Sequence, residues 1–343
     1  MFATNTPSIH QIAWEEIEKL GGLAPLQKIY KLVIERMKNM DIPLPRLDSI
    51  RGALVDKTTG TGRRATGDYL FERVAKGVYK VIKDGDSFCV LNESSRNLNI
   101  LEDESVHAVL ADHPWFEPKS HKSGNQKSFT QDYAEETFRY TIEDFKAKYR
   151  VLVDGGYLVE NLPAENAENT EYLMNIRQYA KEAGFHFYAL VPWIKHRVPN
   201  NTGRTQKDRE YLIFWTKNKP RRLAPIGKPY FTRTMLPSEF DISAPARKQH
   251  QAEKPKELYK RIIDLITEPN DVIVEQFGGS GNSAVAALEI NRHPIVYEIM
   301  EKFSKKIFNK LKLASQFKLS LNTKNTNTNY ELVFGEDGQA TLF

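Results

Sequence analysis

The segment VIVEQFGGSGNSAVAALEI, residues 272–290, limits the possible folds more than any other part of the chain. Its β-branched opening reads as a buried strand, its glycines as a tight turn, and its alanine-rich end as a helix. A second apolar run, PIVYEI, follows at once. Strand, crossover helix and strand make a right-handed unit of a parallel sheet, and such sheets need helices on both faces. The same alternation fills the rest of the larger part. SVHAVLA, GGYLVENL, GFHFYALVPWIK and EYLIFWTK read as strands. SFTQDYAEETFRYTIEDFKAKYRVL, NTEYLMNIRQYAKEAG and PKELYKRIIDLI read as helices. The predicted class is α/β, a doubly wound, mostly parallel, Rossmann-like sheet.

Residues 1–84 read as a separate, small α+β unit. IHQIAWEEIEKL, APLQKIYKLVIERM and LDSIRGALVDK carry helical spacing, and YLFERVAKGVYKVI reads as a hairpin around Lys76-Gly77. Three helices followed by a hairpin is the order of a winged helix, whose third helix enters the DNA major groove. Arg51, Lys57, Arg63 and Arg64 fall on the third helix and the loop after it. The alternative is a solvated basic surface on a protein-interaction module. Residues 84–98 read as a linker with a short strand in it. The larger unit spans 85–316, and residues 317–343 read as a polar, flexible tail.

Charge and cysteine usage narrow the setting. The formal net charge is +5, which permits nucleic acid as a partner without requiring it. The single cysteine, Cys89, has no disulfide partner, which fits a reducing cytoplasm. MFATNTPSIHQ lacks a basic-then-apolar signal pattern, and no apolar run approaches the ~20 residues of a membrane helix. A soluble cytoplasmic protein, monomer or homodimer, is the expectation.

Two strand ends carry chemistry. After VIVEQF, the glycines at Gly279 and Gly281 let backbone pass close to a ligand. The next strand ends at Glu298, about 20 residues beyond the turn, where an acid can accept hydrogen bonds from ribose hydroxyls. No Lys-Ser/Thr pair follows the glycines, so this is not a Walker phosphate loop. The other end is that of SVHAVLA, which runs into Asp112-His113-Pro114-Trp115, an acid beside a rigid turn and a flat ring. Asp112 as a turn cap and Trp115 as a core ring are the alternatives to a site.

The order of these motifs resembles that of the S-adenosylmethionine-dependent DNA amino-methyltransferases of the β type. In that family an Asp/Asn/Ser-Pro-Pro-aromatic motif precedes the glycine motif, as Asp112-His113-Pro114-Trp115 precedes FGGSG here. RVLVDGGYLVE, DREYLIFWTK and AEKPKELYKRII resemble further family segments, so the likeness covers residues 97–313. It implies S-adenosylmethionine as cofactor, held by Lys254, Pro255, Glu275, Phe277, Gly279, Ser280, Gly281, Asn282, Ser283 and Glu298. It also implies a target amine bound by Asp112 and the His113 carbonyl, with Pro114 fixing the turn and Trp115 stacking on a base flipped from the duplex. Two positions depart from the pattern: His113 replaces a proline, and Glu275-Gln276 replaces Asp-Pro.

Residues 195–254 hold basic, irregular segments with interleaved aromatics, suited to phosphates and an extruded base. Lys195, Arg197, Arg204, Arg221, Arg222 and Arg233 are the DNA-contact candidates, an ordinary solvated loop pair being the alternative. Asp112 at the first motif position implies adenine N6 as the target, with cytosine N4 as the alternative. A catalytically weak DNA-binding regulator on the same scaffold stays open. No nuclease signature accompanies these motifs, so a modification enzyme acting alone or beside a separate nuclease is expected. Lastly, Gln339, Leu342 and Phe343 resemble the Gln-x-x-Leu-Phe peptide that binds the bacterial sliding clamp, unless they close a terminal strand with YELVF.

Overall fold

The computed structural model describes residues 6–60, 68–96, 98–114, 139–196, 208–223, 235–245, 253–324, 332–334 and 340–342. The N-terminal unit opens with helix α1 (Ile9–Lys19), whose start is capped by the Ser8 hydroxyl accepting from the Gln11 N–H at 3.4 Å. Gly21 and Gly22 leave the helix at φ +113° and +90°. A Cβ at Gly21 would stand 2.4 Å from the Phe88 ring, so this turn needs glycine. It delivers strand β1 (Leu23–Pro25), then helices α2 (Leu26–Asn39) and α3 (Leu47–Asp56). The hairpin is β2 (Phe71–Ala75) and β3 (Val78–Val81), and the antiparallel sheet has the order β1-β3-β2. Ile12, Ile17, Ile29, Val33, Ile50, Leu54 and Phe71 bury a common core. The helical spacing places the second helix from Ala24, whereas the structure spends Leu23–Pro25 on β1. Three residues are too few to show alternation.

The remaining strands form one sheet of eight. They are β4 (Cys89–Leu91), β5 (Val106–Ala111), β6 (Leu152–Pro163), β7 (Phe185–Ile194), β8 (Arg209–Lys217), β9 (Phe240–Asp241), β10 (Val272–Glu275) and β11 (His293–Tyr297). The helices are α4 (Ile142–Val151), α5 (Thr170–Glu182), α6 (Lys256–Ile266), α7 (Asn282–Glu289) and α8 (Glu301–Lys324). The order is β4-β11-β10-β5-β6-β8-β7-β9, with β4, β11, β10, β5 and β6 parallel and β8 antiparallel to its neighbours. Alternate residues face opposite helix layers. Val109, Leu158 and Val274 pack with Phe145, Leu173 and Ile176 of α4 and α5. Ala108, Tyr157 and Ile273 pack with Leu258, Ile262 and Ala286 of α6 and α7. The fold is therefore the doubly wound α/β sheet that the alternation predicts.

Three expectations need correction. The short strand expected within residues 84–98 is β4, but it joins the large sheet as an edge strand paired with β11 in the register Val90↔Val296, rather than serving as a linker alone. Leu23 and Val78 of the small unit pack in the same cluster as Cys89 and Leu91, so the two units share apolar contact. The polar segment read as tail from residue 317 is helical through Lys324, and Leu332–Phe334 (β12) pairs antiparallel with Ala340–Leu342 (β13). No helix among the described residues is long and apolar enough to cross a membrane.

Candidate active site

The chain winds in one direction from β5 to β6 and in the other from β10 to β11, so the crevice opens beside β10. Glu275 of β10 is level with Leu110 of β5 and Val296 of β11. Two residues further on, the same row becomes Asp112, Phe277 and Glu298. Neighbouring strands lie about 4.8 Å apart, so these two acids flank the glycine turn at roughly 10 Å from each other.

Hydrogen bonds from both neighbours hold the turn. The Gln276 N–H donates to the Leu110 carbonyl at 2.9 Å and the Gly278 N–H to the Tyr297 carbonyl at 2.8 Å. Glu298 accepts from the Gly279 N–H at 3.1 Å and the Met300 N–H at 2.9 Å. Burial raises the Glu298 carboxyl pKa, while those two N–H groups pull the other way. A Cβ at Gly278 would meet Ile307 Cδ1 at 2.7 Å and Val296 Cγ1 at 2.9 Å. A Cβ at Gly279, where φ is +51°, would meet only the Phe277 carbonyl, at 3.8 Å. One glycine thus serves packing and the next leaves an open approach to the backbone. Sequence reasoning picked out Gly279 and Gly281 and missed Gly278.

Lys254 and Pro255 are stitched to the start of α7. The Asn282 amide donates to Glu253 Oε1 and to the Lys254 carbonyl, both at 2.8 Å. Lys310 donates to Asn282 Oδ1 at 2.6 Å and to the Ser280 carbonyl at 3.1 Å, and burial brings its pKa down to about 8. Glu275 is buried facing Ser283, which stabilises its charge, but desolvation prevails and holds its pKa well above the carboxylate range. Glu275 and Ser283 therefore engage each other beneath the turn. Phe277, Ser280 and Gly281 lie in the turn itself, with Gly281 capping α7 at φ +73°.

Asp112 is the hub of a charged cluster. Its Oδ1 accepts from Asn161 Nδ2 at 3.2 Å, and its Oδ2 takes the Lys254 ammonium. Asn161 also donates to Glu210 Oε2 at 2.9 Å. Glu210 receives Lys195 at 3.1 Å and Lys254 at 3.5 Å. Burial works against the charge on Lys254, but Asp112 and Glu210 outweigh it and raise its pKa. Burial likewise opposes the Glu210 carboxylate, yet Lys254 and Lys195 bring it down to about 2. Two acids and two ammonium groups leave the cluster balanced. Asn161 and Glu210 are additions to the residues picked from sequence. The Lys254 side chain, assigned to the cofactor, holds Asp112 instead.

His113 turns its ring into the core. It is 1% exposed, 4.4 Å from the Tyr140 ring, and its Nε2 lies 3.2 Å from the Tyr172 hydroxyl. Burial lowers its pKa and favours the neutral ring, although the neighbouring Glu160 carboxylate pulls the other way. Pro114 is half-buried. Trp115 lies outside the described residues, as do Arg63, Arg64, Arg197, Arg204, Arg233, Gln339 and Phe343.

The basic candidates separate by face. Arg51 is exposed on α3, Lys57 caps that helix, and Lys195 lies at the site end of β7. Arg221 and Arg222 are at the wrong end. They follow β8, which runs antiparallel to β6, and Arg221 pairs with Asp271 before the start of β10. A single basic stretch of sequence is thus divided between the two ends of the strands.

A parallel sheet whose switch point holds a glycine turn between two acid-ended strands is an arrangement that binds nucleoside-bearing ligands. The DNA methylase family model N6_N4_Mtase matches residues 106–310, and the chain belongs to that family. It is therefore a DNA methyltransferase of the N6/N4 amino type, and its cofactor is S-adenosylmethionine. The type II methyltransferase M.MjaI of Methanocaldococcus jannaschii is 22% identical over 259 residues, 60% of this chain and 84% of that protein. The PvuII DNA methyltransferase (cytosine-N4-specific) structure matches at 16% identity and a TM-score of 0.49, over 69% of this chain and 94% of that one. The M1.HpyAVI–SAM complex matches at 19% identity and a TM-score of 0.42, over 60% and 88%. The residues present fit the cofactor: the open side of Gly279 beside the buried Glu298 offers backbone and acid to a nucleoside.

Proposed function

We propose that the chain is a DNA adenine N6-methyltransferase that acts on an adenine flipped out of a specific duplex sequence. The observation that carries this reading is Asp112, at the first motif position, with one oxygen held by Asn161 and the other by Lys254. A carboxylate fixed in this way is a positioned acceptor and a weak base. It orients an amine through one N–H and leaves the nitrogen lone pair free to react. The His113 carbonyl takes the second N–H. Pro114 restricts the turn, and Trp115 stacks on the flipped base. When bound, S-adenosylmethionine supplies an electrophilic methyl group. Glu298 receives the ribose hydroxyls, and the turn from Phe277 to Ser283, with Pro255 beside it, lines the cofactor. Catalysis is then alignment of two bound reactants, with no covalent intermediate on the protein.

Residues 1–84 act in this reading as a winged-helix-like module that adds phosphate contacts through Arg51 and Lys57, as well as Arg63 and Arg64. Lys195, Arg197, Arg204 and Arg233 serve the target strand. Gln339, Leu342 and Phe343 tether the enzyme to a sliding clamp in the cytoplasm. Tritiated methyl transfer to mixed-sequence duplex DNA, followed by nucleoside separation, tests the core of the proposal. The label is expected in N6-methyladenine. Label in N4-methylcytosine alone overturns the adenine assignment, and cofactor binding without any incorporation overturns the enzyme.

A further inference from the structure

The motif's second residue is a histidine in a fully built pocket, and the pocket explains how the turn can dispense with a proline. Glu160 stands level with Ala111 in the β5–β6 register, directly beneath the turn. Its carboxylate is wholly buried and paired with the equally buried Lys148. The Tyr140 hydroxyl donates to Glu160 Oε2 at 3.0 Å, and the Lys148 ammonium lies 3.7 Å from the centre of the Tyr140 ring. His113 presents Nδ1 to Glu160 Oε2 at 3.7 Å and Nε2 to the Tyr172 hydroxyl at 3.2 Å. The Glu160 carboxylate has no proton to offer, so Nδ1 faces it favourably only as Nδ1–H, and the Tyr172 oxygen, which accepts the Tyr140 N–H at 3.1 Å, keeps its own proton for His113 Nε2. Nε2 is then the acceptor, and the Nδ1–H points at the carboxylate.

We propose that His113 is a positioning residue: its ring, held in one tautomer between Tyr172 and Glu160, locks the Asp112–Pro114 turn from below in place of a proline. The proposal rests on the reading of Asp112 as the amine acceptor. A free histidine would leave the turn several backbone conformations, and a shift of Asp112 by about 1 Å can cost roughly a hundredfold in rate. The Lys148–Glu160 pair supplies a fixed negative end for the imidazole N–H without leaving a net buried charge. Tyr140 and Tyr172, from α4's leading segment and α5, connect that lock to the helix layer under the site.

The test is a double-mutant cycle. Tyr172→Phe keeps the ring and removes only the hydroxyl, and its fold is checked by circular dichroism beside the wild type. In the wild-type background it is expected to lower kcat about tenfold, with the KM for S-adenosylmethionine unchanged. In a His113→Pro background, whatever its own rate, the same change loses only the Tyr140 N–H contact, which both backgrounds share, and is expected to lower kcat much less. An equal fall in both backgrounds, or no fall in either, overturns the lock. A second readout is independent of turnover. The 15N shifts of the His113 ring at pH 7 are expected to show a single Nδ1–H tautomer that becomes a mixture in Tyr172→Phe. A mixture already present in the wild type overturns the proposal. Wild-type protein that shows the single tautomer but methylates no DNA supports the lock and refutes the enzyme, which keeps the two failures apart.

Discussion

Asp112 carries the chemistry only as part of a group of five side chains, which gives its substitutions distinct signatures. Asp112→Ala removes the acceptor but leaves the glycine turn and Glu298 untouched. Transfer is expected to fall to background while S-adenosylmethionine binding by calorimetry stays within a few-fold of wild type. Near-normal turnover would show that the amine is bound elsewhere. Glu210 gives a pH signature. Its pKa falls from an ordinary carboxylate value to about 2 on folding, so its charge stabilises the fold above that ordinary range. That contribution fades as pH falls from the mid-fours towards 2, and is of the order of a few kcal/mol before screening is allowed for. Glu210→Gln is therefore expected to lose stability at pH 6 and little at pH 2.5, measured by urea unfolding. The same loss at both values would mean that the native carboxylate titrates normally.

At the scale of elements, the long periodic segments could be read from sequence and the short or contextual ones could not. α5, α6, β7 and β8 show their apolar period over many residues. β1, three residues long, gains its stability from partners far away in sequence, and β4, expected as a short strand, gave no sign of its place in the large sheet. Asp112 and the glycine turn could be recognised because each is a contiguous motif set by local backbone needs. The Asn161, Glu210 and Lys195 cluster could not, because three separate strands bring it together. One signal was available: Glu160-Asn161 interrupts the apolar run GGYLVENL, and polar residues inside a buried strand need partners. The turn after β10 yields its own prediction. Glu298→Ala removes an acceptor that also ties down Gly279 and Met300, so cofactor affinity is expected to weaken by about 1–3 kcal/mol. Unchanged affinity by calorimetry would remove Glu298 from the cofactor's binding set.

At the scale of the whole molecule, the two units are joined through apolar contact, so cutting off residues 1–84 would uncover Cys89 and Leu91. Charge removal on the outer face is a cleaner probe of DNA contact. Arg51→Ala with Lys57→Ala is expected to lower the slope of log affinity against log salt by roughly 2, one for each phosphate lost. An unchanged slope would mean that this face meets no DNA. The tail poses the last question of scale. Clamp docking needs the terminal peptide extended and free, yet Leu342 lies in β13 opposite Leu332 of β12. A lone two-stranded hairpin is at best marginally stable in water, so opening it costs little, and the hairpin would weaken docking without preventing it. Three tail peptides covering residues 320–343 can be titrated against the host's clamp. The native peptide is expected to bind in the micromolar range, and one with Leu342→Ala and Phe343→Ala is expected not to bind. The third, with Val333→Pro, places opposite Thr341 a residue that disfavours strand pairing and is expected to bind more tightly, because the anchor no longer has to leave a strand. Negligible binding by all three would end the clamp assignment.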